Sequence, residues 1–181
     1  MTVKLSTLSV LIGLAVGLPQ IYGIVQPQKF AAAVRKFPRN VPLGIALMLL
    51  ATAWFVWNVV QEGDADFAAM KPTMMAGFVG VGVASCIFVQ DFLAVRGLAV
   101  VFLLLAKLML DTARWADTDW RWVISGWAYL LIVAGMWFTY SPWRLRDLLE
   151  WFTASEARIK IGCCLRLAFG LFVAVLGLKV F

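Results

Sequence analysis

Six long apolar stretches occupy most of this chain, at residues 5–25, 43–60, 73–90, 92–110, 122–140 and 161–181. Each approaches the roughly 20 residues that an α-helix needs to cross a ~30 Å hydrocarbon core. Backbone polar groups find no water in lipid, so only helices and closed barrels span it. A barrel strand alternates apolar and polar residues over ~10 positions. The runs here are continuous and longer, so the expected fold is all-α: a polytopic transmembrane helical bundle of about six spans.

Charge content points the same way. Of 181 residues, 63% are hydrophobic and 14% charged, against about 25% charged in a soluble domain. Too few polar side chains remain to coat a water-facing surface. The connections are too short to hold a second folded domain, so residues 1–181 are expected to form a single membrane domain. Only Lys4 precedes the first stretch, and no A-x-A site follows it before Gln26. That stretch therefore reads as a retained span rather than a cleaved leader.

Basic residues are unevenly placed along the connections. Lys29, Arg35, Lys36, Arg39, Arg96, Arg144, Arg146, Arg158 and Lys160 fall on one face. The other face holds Lys4, Lys71, Arg114, Arg121 and Lys179, together with Glu62, Asp64, Asp66, Asp111, Asp117 and Asp119. The positive-inside bias makes the first face cytoplasmic. Six spans then place both termini on the extracytoplasmic side of the cell (inner) membrane. The net charge of +6 follows from this topology, and no nucleic-acid partner is needed to explain it. Trp54, Trp57, Trp115, Trp120 and Trp122 fall near outer span ends, and Trp143 and Trp151 near inner ones. Indole rings at headgroup level produce this pattern; a stacked aromatic site for a quinone or lipid headgroup is the other reading.

Two connections are built alike. Pro27 opens one and Pro142 the other, and apolar residues follow at matching positions: Phe30, Val34 and Phe37 in the first, Leu145, Leu149 and Phe152 in the second. This i, i+4, i+7 stripe marks a short amphipathic helix, and proline suits its first turn. A helix with such a stripe and a basic-leaning polar side is expected to lie flat in the cytoplasmic interface, against anionic lipid. Arg146 and Glu150 are placed to pair at i, i+4. A basic residue and a glycine then lead into the next span, Arg39 with Gly44 and Arg158 with Gly162. The middle connection echoes this, with Ala33-Val34-Arg35 recurring as Ala94-Val95-Arg96 before Gly97. The period is roughly 60 residues, so the chain reads as three helical hairpins of one orientation, at 1–60, 61–121 and 122–181.

Candidate functional residues fall into two groups. Gly13 and Gly17 form G-x-x-x-G in the first stretch, and Gly77, Gly80 and Gly82 crowd the third. Small residues let helix backbones approach closely in lipid, within one chain or between chains. Pro19 frees a carbonyl in the first stretch and is expected to give a packed kink. Ionisable and polar residues at membrane depth form the second group: Gln90, Asp91, Arg96 and Arg166 are candidates for a polar route, although snorkelling accounts for them too. Lys107 and Asp111 are i, i+4 neighbours. The outer acids Asp64, Asp66, Asp117 and Asp119 match no calcium-loop spacing and read as a solvated face.

Signatures of catalysis and of bound groups are missing. The chain has no histidine, hence no imidazole ligand or Ser-His pair. It has no G-x-S-x-G, P-loop or CxxC motif, so no catalytic, cofactor-binding or metal residue is assigned and no cofactor is expected. Cys86, Cys163 and Cys164 read as reduced, small apolar packing residues, since adjacent cysteines are badly placed to bridge each other. The expected protein is a small non-catalytic accessory or scaffolding subunit that packs against another membrane protein or against itself, with membrane lipids as further partners. The alternative is a small oligomeric transporter or channel with its route near Gln90, Asp91, Arg96 and Arg166. A third reading is an enzyme acting on lipid at the interface through Asp91, Asp147 or Glu150.

Overall fold

The computed structural model describes residues 4–61 and 69–181. Among them the chain is all-α, with no strand. In order it forms α1 (Leu5–Val25), α2 (Pro27–Lys36), a 3-10 turn (Phe37–Arg39), α3 (Val41–Gln61), α4 (Lys71–Phe88), α5 (Leu93–Ala113), α6 (Arg121–Tyr140), α7 (Trp143–Phe152) and α8 (Glu156–Lys179). Six of these, α1, α3, α4, α5, α6 and α8, are long and apolar enough to cross a membrane. At 1.5 Å per residue, α4 (18 residues) and α8 (24 residues) span about 27 and 36 Å. The protein is a multi-pass membrane protein.

Several span boundaries differ from the hydropathy reading, and two of the differences have a local cause. α8 starts at Glu156 rather than 161, because its polar first turns stay helical beyond the apolar run. α5 starts at Leu93, because Phe92 turns the chain with φ 55°. A left-handed, non-glycine residue costs about 1–2 kcal/mol. Packing of the Phe92 ring on Val95, Ala99 and Phe138 offsets that cost. α1 runs through Pro19 without a break.

The chain divides into two compact units, each drawing on segments far apart in sequence. The first comprises residues 1–36, 105–133 and 146–181; the second, 37–104 and 134–145.

In the first unit α1 and α8 run antiparallel along a seam of small residues. A Cβ on Gly13 would lie 2.5 Å from the Gly170 carbonyl oxygen and 2.8 Å from the Ala174 nitrogen. One on Gly170 would lie 2.6 Å from the Gly13 carbonyl oxygen, and one on Gly177 would lie 2.8 Å from that of Ser6. Gly17 faces Leu167 and Gly170, and Gly23 faces Cys163. The α1 start and the α8 end therefore lie together. Beside the seam, Leu5, Leu8, Ile12 and Val173 form a buried core with Ala106, Met109 and Ala113 of α5 and Ile124 and Ala128 of α6. Trp127 meets Phe169 edge-on at 5.0 Å.

In the second unit α3 packs on α5 through two glycines. Gly44 abuts Leu93 and Ala94, and Gly97 abuts Leu47 and Met48. Gly135 of α6 sits against Ala99 and Leu103, next to the core of Val95, Ala99 and Phe138. Phe37 and Leu145 pack on this core. α4 lies on α3, with Gly82 pressed against Thr52 and the Phe55 and Phe78 rings 4.0 Å apart. Gly82 is the buried residue of α4.

These contacts separate two kinds of glycine. Gly13→Ala forces a Cβ into backbone and should destabilise by about 1–3 kcal/mol, as overpacking does. A Cβ on Gly77 meets nothing within 4 Å, so Gly77→Ala should leave stability unchanged or raise it by up to about 1 kcal/mol. Thermal unfolding in detergent checks the contrast; equal losses would contradict the seam.

Candidate functional site

The densest meeting of predicted residues lies in the first unit, where α1 ends and α8 begins. The Gln26 N–H closes α1 by donating to the Tyr22 carbonyl at 2.9 Å, and Pro27 starts α2 at the next residue. So tight a turn folds α2 back toward the α1–α8 pair. Gly23 makes room for it, since a Cβ there would lie 2.5 Å from the Cys163 sulfur and 3.3 Å from the Phe30 ring. Phe152, Ile159 and Cys163 are buried together, and Ile24, Phe30 and Ala31 pack on them. Gly162 admits the Phe152 ring in the same way. Phe30 and Phe152, one from each apolar stripe, thus enter a single cluster inside the protein.

Polar contacts fasten the same corner. Arg35 donates from Nε to Thr153 Oγ1 (2.7 Å) and from Nη2 to the Thr153 carbonyl (2.8 Å). The last carbonyls of a helix lack internal partners, and Thr153 follows directly on α7. Arg35 therefore caps α7 from another helix, with a cation where the helix dipole favours one. The Thr153 hydroxyl in turn donates a hydrogen bond to the Leu149 carbonyl (2.7 Å). Gln28 donates to Glu156 at 2.8 Å, joining α2 to the first turn of α8. The Arg166 guanidinium lies 4.5 Å from the Phe152 ring centre, and that of Arg158 lies 5.1 Å from Trp151. Contacts of this kind contribute about 0.5–1 kcal/mol at exposed positions.

The carboxylates here are engaged. Arg146 donates to Asp147 at 2.8 and 3.1 Å, and Glu150 stands 3.8 Å away. The expected i, i+4 pair is therefore the longer contact and the sequence neighbour the shorter. Asp147, first by its hydrogen bond and then by its charge, holds the Arg146 guanidinium above its ordinary range. On α5, Lys107 and Asp111 pair at 2.9 Å. The three cysteines are free thiols, with Cys163 buried and Cys164 exposed. Among the described residues no group of three His, Cys, Asp or Glu side chains is placed to hold a metal ion.

The remaining candidates are dispersed. Val34 and Leu149 are half-buried in the first unit, while Phe37 and Leu145 belong to the second. Gln90 and Asp91 are exposed in the turn before α5, and half-buried Arg96 has its Nε shielded from solvent without a hydrogen-bond acceptor. These three lie in the second unit and Arg166 in the first. Gly13 and Gly17 are spent in the α1–α8 seam, whereas Gly77 and Gly80 have no atom within 4 Å of where a Cβ would stand. Glu62, Asp64 and Asp66 lie outside the described residues; Asp117 and Asp119 are exposed. Reading the sequence missed Gly170, Ala174 and Gly177, whose spacing of four and three carries the same small-residue signal as Gly13 and Gly17. It also missed the Arg35–Thr153 link, which no local pattern announces.

The chain matches no family model, no curated protein and no solved structure.

The corner makes a measurable prediction. Arg35→Ala should weaken the docking of α2 by about 1 kcal/mol, a charged hydrogen bond discounted for the exposure of the arginine. Hydrogen exchange in residues 27–36 should quicken while the α1–α8 seam keeps its protection. Thr153→Val, which retains the carbonyl acceptor, should have a smaller effect. Unchanged exchange in Arg35→Ala would contradict the docking.

Proposed function

We propose that this protein is a small non-catalytic scaffolding subunit of a membrane-protein assembly. The observation that carries this reading is the state of α4. It is long and apolar enough to cross a membrane, yet it packs on its own chain along α3. Its Gly77 and Gly80 face open space, on a side shared by exposed Ala76 and Ala84. Hydrocarbon gives apolar helices little drive to associate, and small residues are what allow a second helix backbone to come near. A partner span seated on α4, from another membrane protein or a second copy, would use that face. The engaged carboxylates of α7 fit a packing role better than acid–base chemistry.

The topology follows from charge. The nine-residue basic side faces the cytoplasm, the membrane is the cell (inner) membrane, and both termini are extracytoplasmic. The chain crosses as three hairpins turning on the cytoplasmic side, with α2 and α7 lying in the interface against anionic lipid. The antiparallel α1–α8 pair, with Gly177 beside Ser6, supports an even number of crossings.

Purification in mild detergent should bring a second membrane protein or a homo-oligomer with the chain, and Gly80→Leu should diminish it. A lone monomer in every mild detergent would refute the subunit reading. Membrane-impermeant labelling of intact cells should reach cysteines placed at either terminus and miss one placed at Lys36; the opposite pattern would overturn the orientation.

A further inference from the structure

Three arginines from two helices end on three consecutive residues at the close of a third helix, α7. Arg35 of α2 donates to the hydroxyl and the carbonyl of Thr153 at 2.7 and 2.8 Å. Arg166 of α8 places its guanidinium 4.5 Å from the Phe152 ring centre. Arg158, also of α8, stands 5.1 Å from the Trp151 ring centre, with Nη1 3.5 Å from the Trp151 carbonyl. Helical register sets the α8 pair. Arg158 and Arg166 lie four residues to either side of Gly162 and so share its face, and the Phe152 ring fills the room that Gly162 leaves. The end of α7 thus collects three permanently charged side chains, all in the first unit.

Their charge is not balanced from within. Among the described residues no carboxylate oxygen comes within 4.0 Å of these guanidiniums. Asp147 and Glu150 are turned to Arg146, and Glu156 accepts from Gln28. A helix end supplies about half a negative charge, enough for one cation and not for three. Arg166 makes the sharpest demand. It follows the α8 start at Glu156 by more than two turns, and among the described residues its only partner is the Phe152 ring. A cation that far along a span is costly by itself, and its side chain reaches back toward the helix start, as snorkelling requires.

The geometry points to a seat for one anionic phospholipid, its phosphate held by Arg158 and Arg166 beside the end of α7 that Arg35 caps. Guanidinium forks match phosphate oxygens, and bonds between two charged groups are the strong ones. The surroundings select a lipid over a soluble anion. Ile161 and Leu165, on α8 beside the two arginines, are exposed to lie along acyl chains, and the exposed Trp151 indole suits headgroup level. The seat rests on the interfacial placement of α7 proposed above. It adds one fixed headgroup where a basic surface alone would attract lipid diffusely. It does not depend on the scaffolding role.

The test titrates the full chain in mild detergent with phosphatidylglycerol or phosphatidylcholine and counts bound lipid by native mass spectrometry. Salt is held at about 0.15 M, where diffuse attraction is screened beyond ~8 Å. One phosphatidylglycerol should bind at least about tenfold more tightly than phosphatidylcholine. Arg158→Gln combined with Arg166→Gln should lower that affinity at least about tenfold. Arg39→Gln with Arg144→Gln, two exposed arginines of the second unit, removes equal charge from the same proposed membrane side and should change it less than about twofold. Arg158→Gln alone serves if the double variant fails to fold, with a loss of at least about threefold. Equal affinity for the two lipids would overturn the seat, as would an equal loss in the control pair or displacement of the lipid by millimolar inorganic phosphate. A nitroxide at exposed Leu148 of α7 reads the interfacial placement separately in vesicles. Relaxation by lipid-dissolved oxygen is expected, and a purely aqueous label would sink that placement and the seat with it.

Discussion

In hydrocarbon, an apolar side chain gains little by leaving lipid for protein, so spans are held by close backbone approach and the dispersion contacts it allows. The α1–α8 seam depends on that approach. At Gly13, Gly170 and Gly177 the space for a Cβ is taken by the facing backbone. The Leu5, Leu8 and Ile12 face of α1 is thereby presented to α5 and α6, and Gly23 is brought against Cys163 at the other end of the pair. Where α1 stops then decides where α2 starts, and that decides which helix end Arg35 reaches. The rest of the first unit follows from one line of missing side chains.

The corner built on this seam treats two similar short helices unequally. α2 places Phe30 in the cluster that Phe152 of α7 also enters, and Arg35 satisfies the carbonyl at which α7 ends. Two of the three residues in each apolar stripe pack internally, Phe30 and Phe37 in one and Leu145 and Phe152 in the other. The side that remains open on α2 and around the start of α8 is polar and predominantly basic. A surface of that kind tolerates both water and anionic headgroups.

The spans were legible because lipid imposes a length as well as a polarity, and six runs meet both conditions. Their ends were less legible. Charge tolerated beyond the hydrocarbon hid the first turns of α8, and a left-handed Phe92 carries none of the glycine or asparagine marking that usually betrays such a turn. Gly13 and Gly17 announced close packing without naming a partner, since a small-residue motif specifies half of an interface. The other half, Gly170 to Gly177, lies more than a hundred residues away. The Arg35–Thr153 link is equally remote, and neither residue stands out in its own neighbourhood. Gly77 and Gly80 looked like Gly13 in the sequence and differ from it only in what stands opposite.

The seam joins two spans that are far apart in the order of synthesis, α1 and α8. At about 5–20 residues per second, the ribosome needs roughly 10–30 s to travel from the end of α1 to the end of α8. During that interval the glycine face of α1 has no mate and must be occupied by lipid or by the insertion apparatus. Synthesis of α8, rather than emergence of any earlier helix, is therefore the event that lets the first unit close. A nascent chain halted before α8 would be inserted and helical, yet it would lack the pairing around which that unit is organised.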